Sequence, residues 1–110
     1  MGAISFKVTA YGKDIADAYN RAVEDAEDYY GRDRYNGTIS TTYGFREVRS
    51  VVSGEKWTKT KEKKAYEYAY KELDTMDSRE CKGIDLGKVS RNVSHHNGWH
   101  KFLFFGWAAE

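Results

Sequence analysis

The sequence predicts one α+β domain, built as a two-layer sandwich with both helices on one face of a mostly antiparallel sheet. Two long segments repeat apolar residues at helical spacing, and several short segments have the alternation or composition of strands. Strand segments in pairs separate and follow the helices, which gives the expected order β-α-β-β-α-β-β. The length of 110 residues suits a single domain over residues 1–110.

The chain begins with a predicted strand over residues 3–11, which Gly12 ends. Apolar and polar residues alternate strictly in this segment, as they do in a strand with one buried face. The face predicted to be buried carries Ile4, Phe6, Val8 and Ala10.

A helix is predicted next, over residues 14–30. Asp14 is a favourable N-cap, and Gly31 stands where a glycine commonly ends a helix. Several alanines in the apolar stripe favour close packing on a sheet. The stripe contains Ile15, Ala18, Tyr19, Ala22, Val23, Ala26 and Tyr30.

Two strands are predicted in the middle of the chain. A polar connection over residues 32–37 leads to strands over 38–42 and 45–52, which are rich in β-branched and aromatic residues. Gly44 is expected to form a turn or a bulge between them.

The second predicted helix begins at Thr58 or Thr60 and ends near Met76. A polar loop is expected to follow it over residues 77–83. The apolar stripe of this helix contains Ala65, Tyr66, Ala69, Tyr70, Leu73 and Met76.

The chain is predicted to end in a hairpin, with strands over residues 88–96 and 99–108 joined by Asn97-Gly98. An Asn-Gly pair between strand-like segments favours a type I′ turn, because both residues tolerate a positive φ. A two-residue turn fixes the register of the two strands. The opposed pairs would be His96 with Trp99, His95 with His100, Val93 with Phe102 and Arg91 with Phe104.

The last predicted strand is apolar on both faces near its end. Phe102 and Phe104 lie on one face, and Leu103, Phe105 and Trp107 lie on the other. We expect such a strand to be central in the sheet or covered on both sides, because neither face suits exposure to water.

Composition excludes several classes of protein. No segment has the apolar length of a membrane span, and residues 1–10 lack the basic and apolar regions of a signal peptide. Cys81 is the only cysteine, so no intramolecular disulfide can form and a reducing cytoplasm is the expected compartment. The net charge is +1, but residues 1–55 carry −2 and residues 56–110 carry +3, a polarity that can steer a partner.

The residues best suited to hold zinc are His95, His96 and His100, with Cys81 upstream. Their spacing matches no standard zinc signature, and histidines near a turn more often cap the sheet. Cys81 lies in no nucleophile motif, and the glycines form no phosphate-binding pattern. We therefore expect no metal, no cofactor and no catalytic residue, and hence a protein that is not an enzyme.

A basic segment around one tryptophan is the leading candidate for partner binding. Positive charge near a helix N-terminus opposes the helix dipole by about 0.3–1 kcal/mol per exposed charge, and a residue choice that costs stability often marks function. A solvated helix face is the alternative explanation. The segment contains Lys56, Trp57, Lys59, Lys61, Lys63 and Lys64.

Tyrosine and arginine form a second candidate contact surface. The chain has nine tyrosines, and both residue types are enriched in the hot spots of protein interfaces. The alternative is that the rings cover a small core with their hydroxyls in water. The cluster contains Tyr29, Tyr30, Arg32, Arg34 and Tyr35.

Three short segments resemble the small isolated open reading frames of phages and mobile elements. They are GAISF over residues 2–6, YNGTIST over 35–41 and FFGWAA over 104–109. Many such proteins, anti-CRISPR proteins among them, bind and block a host defence complex. The resemblance implies an inhibitor that binds a host protein or ribonucleoprotein complex in a bacterial cytoplasm. The alternative function is a small nucleic-acid-binding domain that uses residues 56–64.

Overall fold

The computed structural model describes residues 2–32, 36–49, 51–52 and 55–110, and these form an α+β domain. The α+β class and the mostly antiparallel sheet are confirmed. The strands are β1 (Ala3–Gly12), β2 (Arg46–Glu47), β3 (Cys81–Lys88) and β4 (His100–Ala109). The helices are α1 (Ile15–Tyr30), α2 (Lys59–Glu72) and the short α3 (Arg91–Ser94), with 3-10 turns at Ile39–Thr41 and Leu73–Thr75.

The four strands lie in the order β1-β4-β3-β2. β4 is antiparallel to both β1 and β3, whereas β2 is parallel to β3. The last strand of the chain is therefore a central strand, which confirms the expectation drawn from its two apolar faces. A central β4 can bury a large side chain at almost every position.

The two long helices cover opposite faces of the sheet, so the prediction of both helices on one face is wrong. Phe102 and Phe104 of β4 share a buried cluster with Ala18 and Ala22 of α1. Leu103 and Phe105 alternate with them and pack in a second cluster against Ala65 and Ala69 of α2. The apolar residues on both sides of β4 need cover on both sides, and a two-layer arrangement cannot supply it.

The first strand and the first helix lie where they were predicted, but Ile4 and Tyr30, which were predicted on the buried faces, are 43% and 63% exposed. The Asp14 side chain accepts a hydrogen bond of 2.8 Å from the Asp17 amide, and Gly31 ends α1 with a φ of +85°. Fully buried Ala18 lets α1 lie close to the sheet. The backbone of Gly12 also lies close to α1, since a Cβ there would lie 2.6 Å from the Ala18 nitrogen.

The predicted strands over residues 38–42 and 45–52 are wrong in most of their length. Residues 39–41 form a 3-10 turn, which the Thr38 side chain begins by accepting a hydrogen bond from the Ser40 amide. Threonine and serine readily bond to nearby backbone in this way, and that competes with strand formation. Among the described residues of the second segment, 45–49 and 51–52, strand pairing is limited to Arg46 and Glu47.

The second helix begins at the predicted N-cap, because the Thr58 hydroxyl accepts a hydrogen bond of 3.1 Å from the Lys61 amide. Its apolar stripe is narrower than predicted. Ala65 and Ala69 are buried, but Tyr70 is 71% exposed. The Tyr70 ring instead lies 5.0 Å from the Lys7 ammonium.

The predicted hairpin at Asn97-Gly98 is also wrong. β3 begins at Cys81, inside the predicted polar loop, and pairs with β4 from Cys81 opposite Gly106 to Lys88 opposite His100. Residues 91–94 form α3 instead of a strand, so Val93 does not oppose Phe102. Eleven residues, 89–99, therefore connect the two strands rather than two.

The cross-strand pair of His95 and His100 does not form. His95 ends α3 with a φ of +64°, and His100 begins β4 between Gly12 and Lys88. His100 Nδ1 lies 2.9 Å from Asp85 Oδ1, and the His96 ring stacks on Trp99 at 3.6 Å. His96 and His100 consequently contact different side chains, Trp99 and Asp85.

Candidate functional site

An open cleft of about 520 Å³ lies where the approach to α2 meets β1, β3 and β4. We call it the lysine cleft. Its walls combine lysines with aromatic and aliphatic side chains, and they come from parts of the chain far apart in sequence. The lining residues are Tyr11, Lys56, Trp57, Lys88, Val89, Ser90, Val93 and Lys101.

A short parallel bridge between Lys56 and Lys88 builds the floor of the lysine cleft. The Lys88 amide donates to the Glu55 carbonyl at 2.6 Å, and the Trp57 amide donates to the Lys88 carbonyl at 2.9 Å. Gly87 lets the two segments come together, because a Cβ there would lie 2.7 Å from the Lys56 carbonyl carbon and the Trp57 nitrogen. The bridge thus sets two lysines side by side.

One carboxylate holds the aromatic wall of the lysine cleft in place. Glu62 Oε1 accepts hydrogen bonds of 2.8 Å from Trp57 Nε1 and from Lys101 Nζ. The Lys101 ammonium lies 5.4 Å from the Trp57 ring centroid and 5.8 Å from that of Tyr11, which is within cation–π range. Trp57 is therefore a fixed wall, and its indole N–H is already satisfied.

Glu62 is ionised at neutral pH. Burial by itself raises the pKa of the Glu62 carboxyl. The hydrogen bonds from Lys101 and Trp57, together with the Lys101 charge, lower this pKa by more than burial raises it. The net pKa lies below the ordinary value for glutamate. Since Glu62 neutralises Lys101, the net positive charge of the cleft comes from Lys56 and Lys88.

Lys56 and Lys88 are exposed, and neither forms an ion pair with any carboxylate in the described part of the chain. Like charges on paired strand positions repel each other, so this arrangement costs stability. Val93, which is 50% exposed, adds an apolar rim beside them. The cleft can accept an apolar side chain while the two ammonium groups contact carboxylates or phosphates around it.

The structure places only part of the predicted basic segment at the lysine cleft. Lys56 and Trp57 line it, whereas Lys59, Lys63 and Lys64 are exposed on α2 outside its lining. Lys61 is half-buried, and its ammonium donates a hydrogen bond to the Lys56 carbonyl. Lys61 therefore supports the backbone of the site.

The predicted tyrosine and arginine cluster is not part of the lysine cleft. Arg32 is exposed and lines a different, shallow depression with Glu27 and Arg79. Arg34 and Tyr35 lie outside the described residues. The ring centroids of Tyr29 and Tyr30 lie 5.6 Å apart at the end of α1, with the ring planes tilted by 44°.

Sequence reasoning missed Tyr11, Lys88 and Lys101. Strand pairing brings Tyr11 opposite Lys101, and the parallel bridge brings Lys88 beside Lys56. The one available signal was Lys101 itself, a charged residue at the start of the most apolar strand in the chain. A lysine in that position has to find an ion pair or an open surface.

Cys81 is buried in β3 and does not lie in the polar loop that was predicted over residues 77–83. Burial raises the pKa of its thiol to about 12 from an ordinary value of 9.0. Thiolate is the reactive form of cysteine. Near pH 8 the folded protein therefore carries on the order of a thousandfold less thiolate at Cys81 than a cysteine with the ordinary pKa.

We expect Cys81 in the folded protein to react with a disulfide reagent at least about a hundredfold more slowly than in denaturant at the same pH. Absorbance of the released thiol anion measures both rates at pH 8. Rapid stoichiometric labelling of the folded protein would contradict the buried, protonated state.

Two further features bear on function. In the described ranges, no group of three or more histidine, cysteine, aspartate or glutamate side chains is placed to hold a metal ion. None of the helices in the same ranges has the length and apolar character needed to cross a membrane.

Comparison with protein-family models, curated proteins and solved structures found no match.

Proposed function

We propose that the protein is a non-catalytic binding domain whose lysine cleft receives an apolar side chain flanked by carboxylates on a partner protein. The observation that carries this proposal is that Lys56 and Lys88 lie side by side next to aromatic walls, and that neither forms an ion pair with a carboxylate of the described residues. Folding does not require two adjacent like charges, so a bound anionic surface gives them a physical reason.

The geometry of the cleft supports a role in receiving a side chain rather than in supplying one. Trp57 is half-buried and tied to Glu62, so it cannot extend into a partner as an anchor. An aromatic or aliphatic side chain of the partner instead fills the space between Trp57, Tyr11 and Val93. Such pre-formed walls lose little side-chain entropy on binding, which favours affinity.

The lysines outside the cleft add to the same positive field. Lys59, Lys63 and Lys64 are exposed on α2, which starts next to the cleft. Their charges speed the encounter with an acidic surface, and contacts inside the cleft slow dissociation. The resemblance to small phage proteins extends the proposal: occupation of a host complex at this surface would inhibit it.

A double charge reversal, Lys56→Glu with Lys88→Glu, tests this function. Both side chains are exposed and lack carboxylate partners in the described residues, so we expect the fold to survive. Partner binding should weaken at least tenfold, or about 1.4 kcal/mol. The measurement is quantitative capture from nuclease-treated host lysate by mass spectrometry, followed by titration of the captured protein.

The matched control is Lys59→Glu with Lys63→Glu, which reverses two charges on α2 outside the cleft. This control should slow association by a few-fold and leave dissociation unchanged. Equal binding by the cleft variant and the unchanged protein would refute the proposal. Capture that disappears with nuclease, and tight salt-dependent binding to single-stranded oligonucleotides, would instead establish the nucleic-acid alternative.

A further inference from the structure

β1 is an edge strand with a regular row of unused backbone groups. It is paired over all ten residues with β4, without a bulge, and with no other strand of the described chain. The Glu110 amide donates to the Gly2 carbonyl, so the even-numbered residues of β1 bond to β4. The N–H and C=O groups of Ser5, Lys7, Thr9 and Tyr11 consequently point away from the sheet.

Of the devices that usually block an exposed edge, β1 has only one, a single charged side chain. The strand has no proline, its register is unbroken, and its only charged side chain is Lys7. The Lys7 ammonium lies over the Tyr70 ring, on the face that α2 covers. No charged side chain of β1 itself therefore lies on the opposite, α1 face of the strand.

A groove of about 510 Å³ runs between this edge and the C-terminal half of α1. We call it the edge groove. Phe6 and Val8 of β1 and Ala22 and Ala26 of α1 form its apolar floor. Its rim carries Asp25, Tyr29 and Tyr30, and the two rings are 85% and 63% exposed.

The helix beside the edge groove is strongly acidic. α1 contains five carboxylates against one basic residue, Arg21. Arg21 is occupied by the Asp17 carboxylate at 3.2 Å and the Trp99 ring at 4.4 Å. Asp25 on the rim thus has no basic partner among the described residues, and Asp28 follows it by one turn.

We propose that β1 accepts an extended segment of another protein that carries arginine or lysine at alternate positions. The segment adds a fifth strand to the sheet through the outward N–H and C=O groups of β1. Its basic side chains lie along the edge groove, with their methylene stems on Phe6 and Val8. Their charged ends reach Asp25 and the faces of the two tyrosines.

The charges argue against a second copy of this chain as the occupant. Two copies joined through β1 would bring two acidic α1 helices onto the same face of the extended sheet, where they repel each other. A basic segment meets complementary charge at the same place. The edge of β1 meets the lysine cleft at Tyr11, but the edge groove and the lysine cleft have no lining residue in common.

The probe is a capped peptide of seven residues in which arginine alternates with threonine. We expect addition of this peptide to slow amide hydrogen exchange at Ser5, Lys7 and Thr9 at least about tenfold, because these amides gain hydrogen bonds. A peptide with the same charge but N-methylated threonines cannot pair and should give no protection. A glutamate–threonine peptide should bind more weakly than the arginine peptide.

Protein variants locate the contact. Asp25→Asn should weaken the arginine peptide about threefold, as expected for one exposed ion pair. Glu24→Gln, a change of an exposed carboxylate outside the groove, should not. Thr9→Pro removes one outward amide and should abolish protection, with a thermal melt to check folding. Lys56→Glu with Lys88→Glu should bind the peptide normally.

Three results would overturn the proposal. One is the absence of protection at Ser5, Lys7 and Thr9 at saturating peptide. Another is equal binding of the N-methylated peptide, which would mean that only charge attraction to α1 operates. The third is protection without peptide together with a dimer mass in sedimentation, which would make a second copy the occupant.

Discussion

Phe104→Ala is expected to lower the free energy of unfolding by about 3–5 kcal/mol. Phe104 has no exposed surface and lies in the central strand of the sheet. Its ring contacts Tyr19 at 5.7 Å and Phe45 at 6.1 Å, both edge to face. The substitution removes this ring from between α1 and the sheet, and the surrounding strands are too constrained to close the cavity.

Urea titration followed by circular dichroism measures this change. Tyr43→Ala is the matched control, because Tyr43 is aromatic but 83% exposed, and its loss should cost less than about 1 kcal/mol. A Phe104→Ala protein within about 1 kcal/mol of the unchanged protein would mean that β4 is not the centre of the core.

The predictable parts of the fold are those that local pattern determines. β1 alternates strictly, and α1 and α2 have apolar stripes and N-caps at Asp14 and Thr58. The two apolar faces of β4 predicted its central position correctly. The same observation argued against helices on one face only, because a central strand with two apolar faces needs two covers.

Sequence analysis did not predict β3 because its residues have low strand propensity. They are explained by contacts with residues that are distant in the sequence. The sequence of β3, CKGIDLGK, contains two glycines, which lower strand propensity. Gly83 is required because a Cβ there would lie 2.7 Å from the Phe104 ring. Gly106 in β4 has the same kind of role, since a Cβ there would lie 2.0 Å from the Glu80 carbonyl oxygen. Contacts between distant residues decide these positions.

The Asn97-Gly98 prediction failed for a different reason. Gly98 does adopt a positive φ, +74°, so the turn chemistry is present. The segment before it folds as α3, with Ser94 buried and its hydroxyl donating to the His96 carbonyl at 2.8 Å. A local turn signal fixes where the chain reverses, but not the length of the connection.

Only part of the candidate site could be predicted from the sequence. Lys56 and Trp57 were found because charge near a helix start is unfavourable and therefore noticeable. Tyr11, Lys88 and Lys101 join them through strand register and a parallel bridge, which no local pattern encodes. The edge groove was likewise invisible, because it depends on β1 being an edge strand.

Gly87→Ala is expected to destabilise the protein by about 2–5 kcal/mol and to abolish partner binding at the lysine cleft. Gly87 has a φ of +107°, a conformation that alanine adopts only with strain. Its added methyl group would also lie 2.7 Å from the backbone of Lys56 and Trp57. The segment over residues 55–57 must then move away from β3, which separates Lys56 from Lys88 and withdraws Trp57 from Glu62.

Gly98→Ala is the control that separates the backbone strain of a positive φ from the steric clash with residues 56 and 57. Gly98 also has a positive φ, +74°, but a Cβ there would meet no atom within 4 Å. This control should cost about 1–2 kcal/mol and leave binding intact. Urea titration gives the two stabilities, and the indole N–H resonance of Trp57 reports its hydrogen bond to Glu62. A Gly87→Ala protein that keeps this resonance and its affinity for the captured partner would show that the bridge between Lys56 and Lys88 does not build the binding site.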